Sequence, residues 1–260
     1  MTKLSIVAGS VLALAAAAAA AGETAVPTLA VDQIVARNVA ARGGLDAWRG
    51  VKTLTYAGEL DAGGKKNTEL PFVVKMKRPN KNRLEIRFQD QTALQVFDGT
   101  QGWKYRPFLG RDEVEPFTAA EAKEAASWAE LDGPLVDHQA KGIRVEAEGS
   151  GSVEGHPAYK LKLTFKDGET RHLWIDAGNF LELKIEGEPR RLDGRAHQVA
   201  IFYRDFRPES GVVVPHTYET VVDGVKPSRK MTIDRVAINQ PLGDDLFARP
   251  QPHDAVASTR

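Results

Sequence analysis

The chain has 260 residues, 35 Lys and Arg against 35 Asp and Glu, and no cysteine. A net charge of zero argues against a dedicated nucleic-acid binder, which needs a strong positive surplus. The missing cysteines exclude disulfides, a thiolate metal site and a lipid-modified N-terminal cysteine.

Met1 to Lys3 is a short basic start, and Leu4 to Ala21 is almost unbroken apolar, ending in small residues. This is the pattern of an export signal, with Ala19-Ala20-Ala21 before Gly22 as the cleavage site. A retained anchor is the rival reading, but the alanine-rich half buries little apolar area. The expected organisation is a signal peptide at 1–21 and one domain at 22–260. No Pro/Ser-rich linker and no internal repeat divides that domain. Export without disulfides fits a bacterial periplasm.

Val31, Ile34, Val35 and Val39 recur at helical spacing, which predicts a helix from Val31 to Arg42. Asp32 favours its first turn, and Gly43-Gly44 stops it, since glycine caps a helix at little cost. Leu45 to Arg49 predicts one further turn anchored by Trp48. No strand precedes the double glycine, so it is a stop or hinge and not a phosphate loop.

After Val51 the period changes to two. Leu70, Phe72, Val74 and Met76 alternate with smaller or polar neighbours, and so do Leu84, Ile86 and Phe88. Tyr159, Leu161, Leu163 and Phe165 repeat the pattern, as do Leu181, Leu183 and Ile185. Turn pairs such as Asp98-Gly99, Asp167-Gly168 and Asp223-Gly224 separate the runs, and "GSGS" at Gly149 to Ser152 reads as a flexible turn. The count is about ten half-buried antiparallel strands. Helical signals return at Thr118 to Leu131, which opens on the capping box Thr118-Ala-Ala-Glu121, and at Pro134 to Ala140 as one turn or two.

Ten strands make a sheet roughly 48 Å wide, and a helix is about 10 Å across. Two or three helices leave much of an apolar face uncovered, so such a sheet curls. The fold class is therefore α+β, mostly antiparallel, a curved incomplete barrel with helices as lid or plug. Its apolar cavity would bind something greasy. The candidate lining is Trp48, Phe72, Leu84, Phe88, Trp103, Leu161, Leu163, Phe165, Leu181 and Leu183.

Signals for covalent chemistry are sparse. The six histidines form neither HxH nor HExxH, so no metal and no cofactor is expected. His172 and Asp176 share a strand face with Trp174, as an acid–base pair or as a solvent-facing polar row. Neither a GxSxG elbow nor a GxxxxGK[ST] loop is present. Lys75, Lys77, Arg78, Lys81 and Arg83 surround a turn, either as a solvated hairpin end or facing anionic lipid head groups or an acidic partner.

The order of these segments resembles that of the bacterial outer-membrane lipoprotein-sorting proteins, relatives of the periplasmic carrier LolA. The resemblance runs through "ARGGLDAWRGVKTLTYAGEL", "VFDGTQGWKYRP", "LWIDAGNFLELKIEGE", "YRDFRPESGVVVPHTYE" and "IDRVAINQPLGDDLFARP", nearly the whole chain after the signal. It implies an incomplete antiparallel barrel lidded by helices. It implies a non-enzymatic carrier of lipid or lipoprotein acyl chains, with an inner-membrane donor and an outer-membrane acceptor as partners. The first helix and its Gly-Gly stop would be the lid, pinned by Trp48. A lipid-sensing periplasmic protein and a hydrolase using His172 are the rival readings.

Overall fold

The computed structural model describes residues 26–61, 69–192 and 194–252. The expected export signal lies outside them. Among the described residues, no helix is long and apolar enough to cross a membrane.

Helix α1 (Val31–Ala41) forms on the apolar stripe and buries Ile34, Val35 and Asn38. Gly43 and Gly44 follow at φ 106° and 95°, a backbone that favours glycine. A Cβ on Gly43 would stand 2.5 Å from the Gly211 carbonyl oxygen, so the helix stop is also a close approach to the sheet. Helix α2 (Leu45–Gly50) then buries Trp48.

Six strands follow: β1 (Thr53–Asp61), β2 (Glu69–Lys77), β3 (Lys81–Phe88), β4 (Gln91–Phe97), β5 (Gly102–Arg106) and β6 (Arg111–Pro116). Helix α3 (Ala119–Trp128) starts at its capping box, where the Thr118 hydroxyl accepts from the Glu121 N–H. It ends three residues before the expected Leu131, and 134–140 is turn rather than helix. Seven strands follow among the described residues: β7 (Arg144–Val153), β8 (His156–Thr164), β9 (Thr170–Asp176), β10 (Glu182–Leu192), β11 (Arg195–Glu209), β12 (Val212–Val222) and β13 (Val225–Ile238).

The thirteen strands among the described residues belong to one sheet, ordered β6-β5-β4-β3-β2-β1-β13-β12-β11-β10-β9-β8-β7. The expected count of about ten was too low. One reason is β7, whose "GSGS" reads as a turn: glycine weakens a strand signal, yet Gly151 pairs with Ala158 under the Trp174 ring. First and last strands meet in the middle, with Tyr56 opposite Val236 and Leu54 opposite Ile238. From there two antiparallel meanders run outward to β6 and β7, which do not pair. The barrel is therefore open, and the segment carrying α3 takes the chain from one edge strand to the other.

Opposed residues of an antiparallel pair share a face, so the register sorts the side chains. On the concave face, Leu54, Tyr56, Phe72 and Met76 pack with Trp48 of α2. Further round, Leu161, Leu163, Leu173 and Ile175 pack with Ile34 and Val35 of α1. The outer face near β3 is covered as well. There the Arg83 guanidinium donates to the Leu246 carbonyl at 3.3 Å, and Phe247 is buried.

Candidate functional site

The helices cover the concave face unevenly. Under α1, Leu161, Leu163, Leu173 and Ile175 are each 0% exposed. Nearer the middle the cover thins. One register row runs Tyr203, Tyr218, Met231, Leu60 and Leu70 across β11, β12, β13, β1 and β2. Its neighbours are Val74 with Leu84, and Ile86 opposite Phe72. All of these except Phe72 are only half-buried, and they form one apolar strip. Phe88 lies at its rim, 36% exposed, with its ring edge-on to Phe108 at 5.8 Å.

Helix α3 leans over the β3 to β5 side of this strip. Its hold on the sheet is largely polar, and at the β8–β9 end Lys123 reaches Glu169 at 2.9 Å and Arg171 donates to the Ser127 hydroxyl at 2.9 Å. Lys104 donates to both oxygens of Glu121 at 2.6 and 2.7 Å, and the Asn82 amide donates to the Ala125 carbonyl at 2.7 Å. Trp128 rests on Tyr218 with ring centroids 5.9 Å apart and is 39% exposed. No residue of α3 is buried.

A polar cluster sits where the strip meets the part covered by α1. Arg42, just past α1, contacts Glu182 at 2.6 Å and donates from Nε to the Val213 carbonyl at 2.8 Å. Its guanidinium lies 4.7 Å from the Trp48 ring centroid, and Trp48 Nε1 donates to the Arg42 carbonyl at 2.8 Å. Burial works against the Arg42 charge, but Glu182 and the nearby phenols hold its pKa above the ordinary value. The Tyr56 and Tyr203 rings flank Tyr218 at 6.4 and 5.7 Å. Burial pushes all three phenols above their usual pKa, with Tyr218 itself adding to the rise at Tyr56 and Tyr203.

The residues singled out in the sequence divide among several places. Phe72 and Leu84 are on the concave face and Phe88 is at the rim. Trp48 is a fully buried anchor. Leu161 and Leu163 are packed beneath α1, and half-buried Phe165 has Arg171 at 5.1 Å over its ring. Leu161 and Leu163 thus belong with the positions packed under a helix rather than beside free volume. Two hollows, of about 320 Å³ beside Lys52 and Leu242 and about 170 Å³ beside Glu59 and Glu85, lie outside the strip. Trp103 is opposite Val96 and faces outward with Arg83. The alternation through Leu181 and Leu183 is also corrected. Glu182 pairs with Ile175 and Lys184 with Trp174, so Leu183 is the extra residue of a bulge. That bulge turns Glu182 inward to Arg42 and leaves Leu181 and Leu183 half-buried.

Arg42, Glu182, Tyr56, Tyr203, Tyr218 and Trp128 were not singled out from the sequence. No local signal marks them, because they converge from six separate elements.

His172 does not pair with Asp176. Its ring nitrogens lie 3.0 Å from Glu148 and 3.2 Å from Glu186 on the outer face, while Asp176 accepts from the Gly178 and Asn179 N–H groups. The basic cluster is occupied internally. Lys75 and Arg83 bind Glu85, Lys77 and Lys81 bind Asp244, and Arg78 binds Asp132. Among the described residues, no group of three or more His, Asp or Glu could hold a metal ion.

No protein-family model and no curated protein matches the chain. Solved structures do. An outer-membrane lipoprotein-sorting protein domain from Vibrio parahaemolyticus aligns over 83% of this chain and 95% of its own, at TM-score 0.54 and 13% identity. A LolA superfamily protein from Nitrosomonas europaea aligns over 85% and 98%, at TM-score 0.53 and 16% identity. The fold is that of the LolA superfamily. A DUF1329 family protein from Desulfovibrio piger is similar to the same extent, at TM-score 0.55 and 15% identity over 85% of this chain and 98% of its own. The LolA-like features are the open antiparallel sheet and the few helices on its concave face.

Proposed function

We propose that this LolA-like chain is a periplasmic carrier that takes lipid or lipoprotein acyl chains onto the concave strip for transfer toward the outer membrane. The observation that carries the reading is the mismatch between cover and covered: α3 buries none of its own residues, yet leans over a strip of Leu84, Ile86, Tyr218 and their neighbours. Helix α1 and Trp48 are packed and stapled, so they act as plug and anchor, and α3 is the gate.

The work is non-covalent. A buried methylene contributes about 0.8 kcal/mol, so an acyl chain of about 15 methylenes gains roughly 12 kcal/mol on leaving water. Leaving a membrane costs a similar amount. A strip that accepts the chain as α3 lifts keeps the exchange near balance. The donor and acceptor proteins expected from the lipoprotein-sorting resemblance belong to this reading.

Native mass spectrometry of protein purified from the periplasm tests it, together with displacement of a fluorescent acyl probe. Co-purified lipid and probe binding are the expected results. A folded protein that carries no lipid and binds no acyl probe would sink the carrier reading.

A further inference from the structure

The polar cluster has an unfilled demand. Glu182 has two carboxylate oxygens: Oε1 receives Arg42 at 2.6 Å, while Oε2 is buried and has no hydrogen-bond partner. The Glu182 side chain is only 6% exposed and that of Arg42 9%. An unpaired acceptor in such a place is costly, and more so for a charged group. A buried ion pair is weak evidence for stability by itself, since packed apolar residues can often replace it at no loss.

The surroundings restrict what could complete the site. Arg42 already balances the Glu182 charge. An added anion would face the free carboxylate oxygen. An added cation would be a buried charge with no counter-ion, which is costly. A neutral donor suits the site, and the Tyr203 and Tyr218 phenols lie within electrostatic reach of Arg42 and Glu182. The same two tyrosines open the apolar row that continues to Met231, Leu60 and Leu70. A ligand lying along that row would bring one polar group beside Glu182 and leave its chain on the strip.

We infer that the cargo is a neutral amphiphile whose hydroxyl or amide N–H donates to Glu182 Oε2 while its acyl chain occupies the strip. This rests on the carrier reading. It narrows the cargo from any acyl chain to one with an uncharged donor at its head.

The test uses the full mature protein and a neutral fluorescent acyl ester as probe, displaced in turn by monoolein, oleamide, methyl oleate, oleate and oleylamine. Monoolein and oleamide share the oleoyl chain but offer a hydroxyl and an amide donor, so they separate the two sources. At least one of them should bind about tenfold tighter than methyl oleate, the margin of one hydrogen bond to a charged group. Oleate and oleylamine should fall below the favoured neutral donor. In the double variant Arg42→Met/Glu182→Leu, the preference of the donors over methyl oleate should disappear. Equal binding of all the neutral ligands, or a preference that survives the double variant, overturns the inference and leaves the carrier reading standing. Failure of every acyl compound, methyl oleate included, overturns both.

Discussion

If α3 is the gate, weakening its hold should speed uptake without unfolding the sheet. Lys104→Met is the sharpest perturbation. Lys104 is nearly buried on β5, and its ammonium makes the two short bonds to Glu121. A hydrogen bond between charged groups contributes about 1.5–3 kcal/mol. The Glu121 side chain is 36% exposed, and solvent screening brings the expected loss to about 1.4 kcal/mol. That raises the population with α3 lifted about tenfold. Stopped-flow mixing with a fluorescent acyl probe should therefore show uptake about tenfold faster. Helix α3 amides should exchange hydrogen faster while those of β8 and β9 keep their protection, the mark of a sub-global opening. Because α3 buries no residue, the main thermal transition should move little. Faster exchange in α3 with unchanged uptake would refute the gate, as would a variant that loses sheet and helix together.

Acid should loosen the same contact. Burial pulls the Glu121 pKa up, but Lys104 and the Thr118 N–H and hydroxyl outweigh it and hold the carboxyl below its ordinary range. A depressed carboxyl stabilises the fold above its unfolded value of about 4.3 and loses that contribution as pH falls through the lower folded value. Uptake should thus accelerate below about pH 4.3, with a smaller acceleration in Lys104→Met. Trp48→Ala should destabilise by about 3–5 kcal/mol in denaturant titration, because it empties a fully buried aromatic site and removes the bond to the Arg42 carbonyl. Leu163→Glu should fail to fold by circular dichroism, since it buries a carboxylate in the α1 interface, whereas rim-exposed Phe88→Glu should fold and bind acyl probe more weakly. Gly43→Ala should lower stability by about 1–3 kcal/mol in thermal melts, because φ is 106° there and the Gly211 carbonyl leaves no room.

Local interactions were legible in the amino-acid order. The stripe Val31, Ile34, Val35, Val39 set α1, and Gly43-Gly44 ended it, because side chains three and four apart and a glycine backbone act within one turn. The box at Thr118 and Glu121 likewise started α3 where it was expected. Alternation and turn residues set the antiparallel class and most strands, and the few helices implied a curled sheet. What depended on pairing was not legible. Nothing near Leu183 says that β10 gains a residue against β9, yet that bulge decides whether two leucines or Glu182 faces the interior. Trp103 and Phe72 both alternate cleanly, and only the register across β2 to β5 puts one outside and the other inside. Which helix packs tightly and which merely leans also depends on the face beneath it. Periodicity reports that a residue has a buried side; the sheet's register and the helices laid across it decide which side that is, and so bring Arg42, Glu182 and three distant tyrosines to one place.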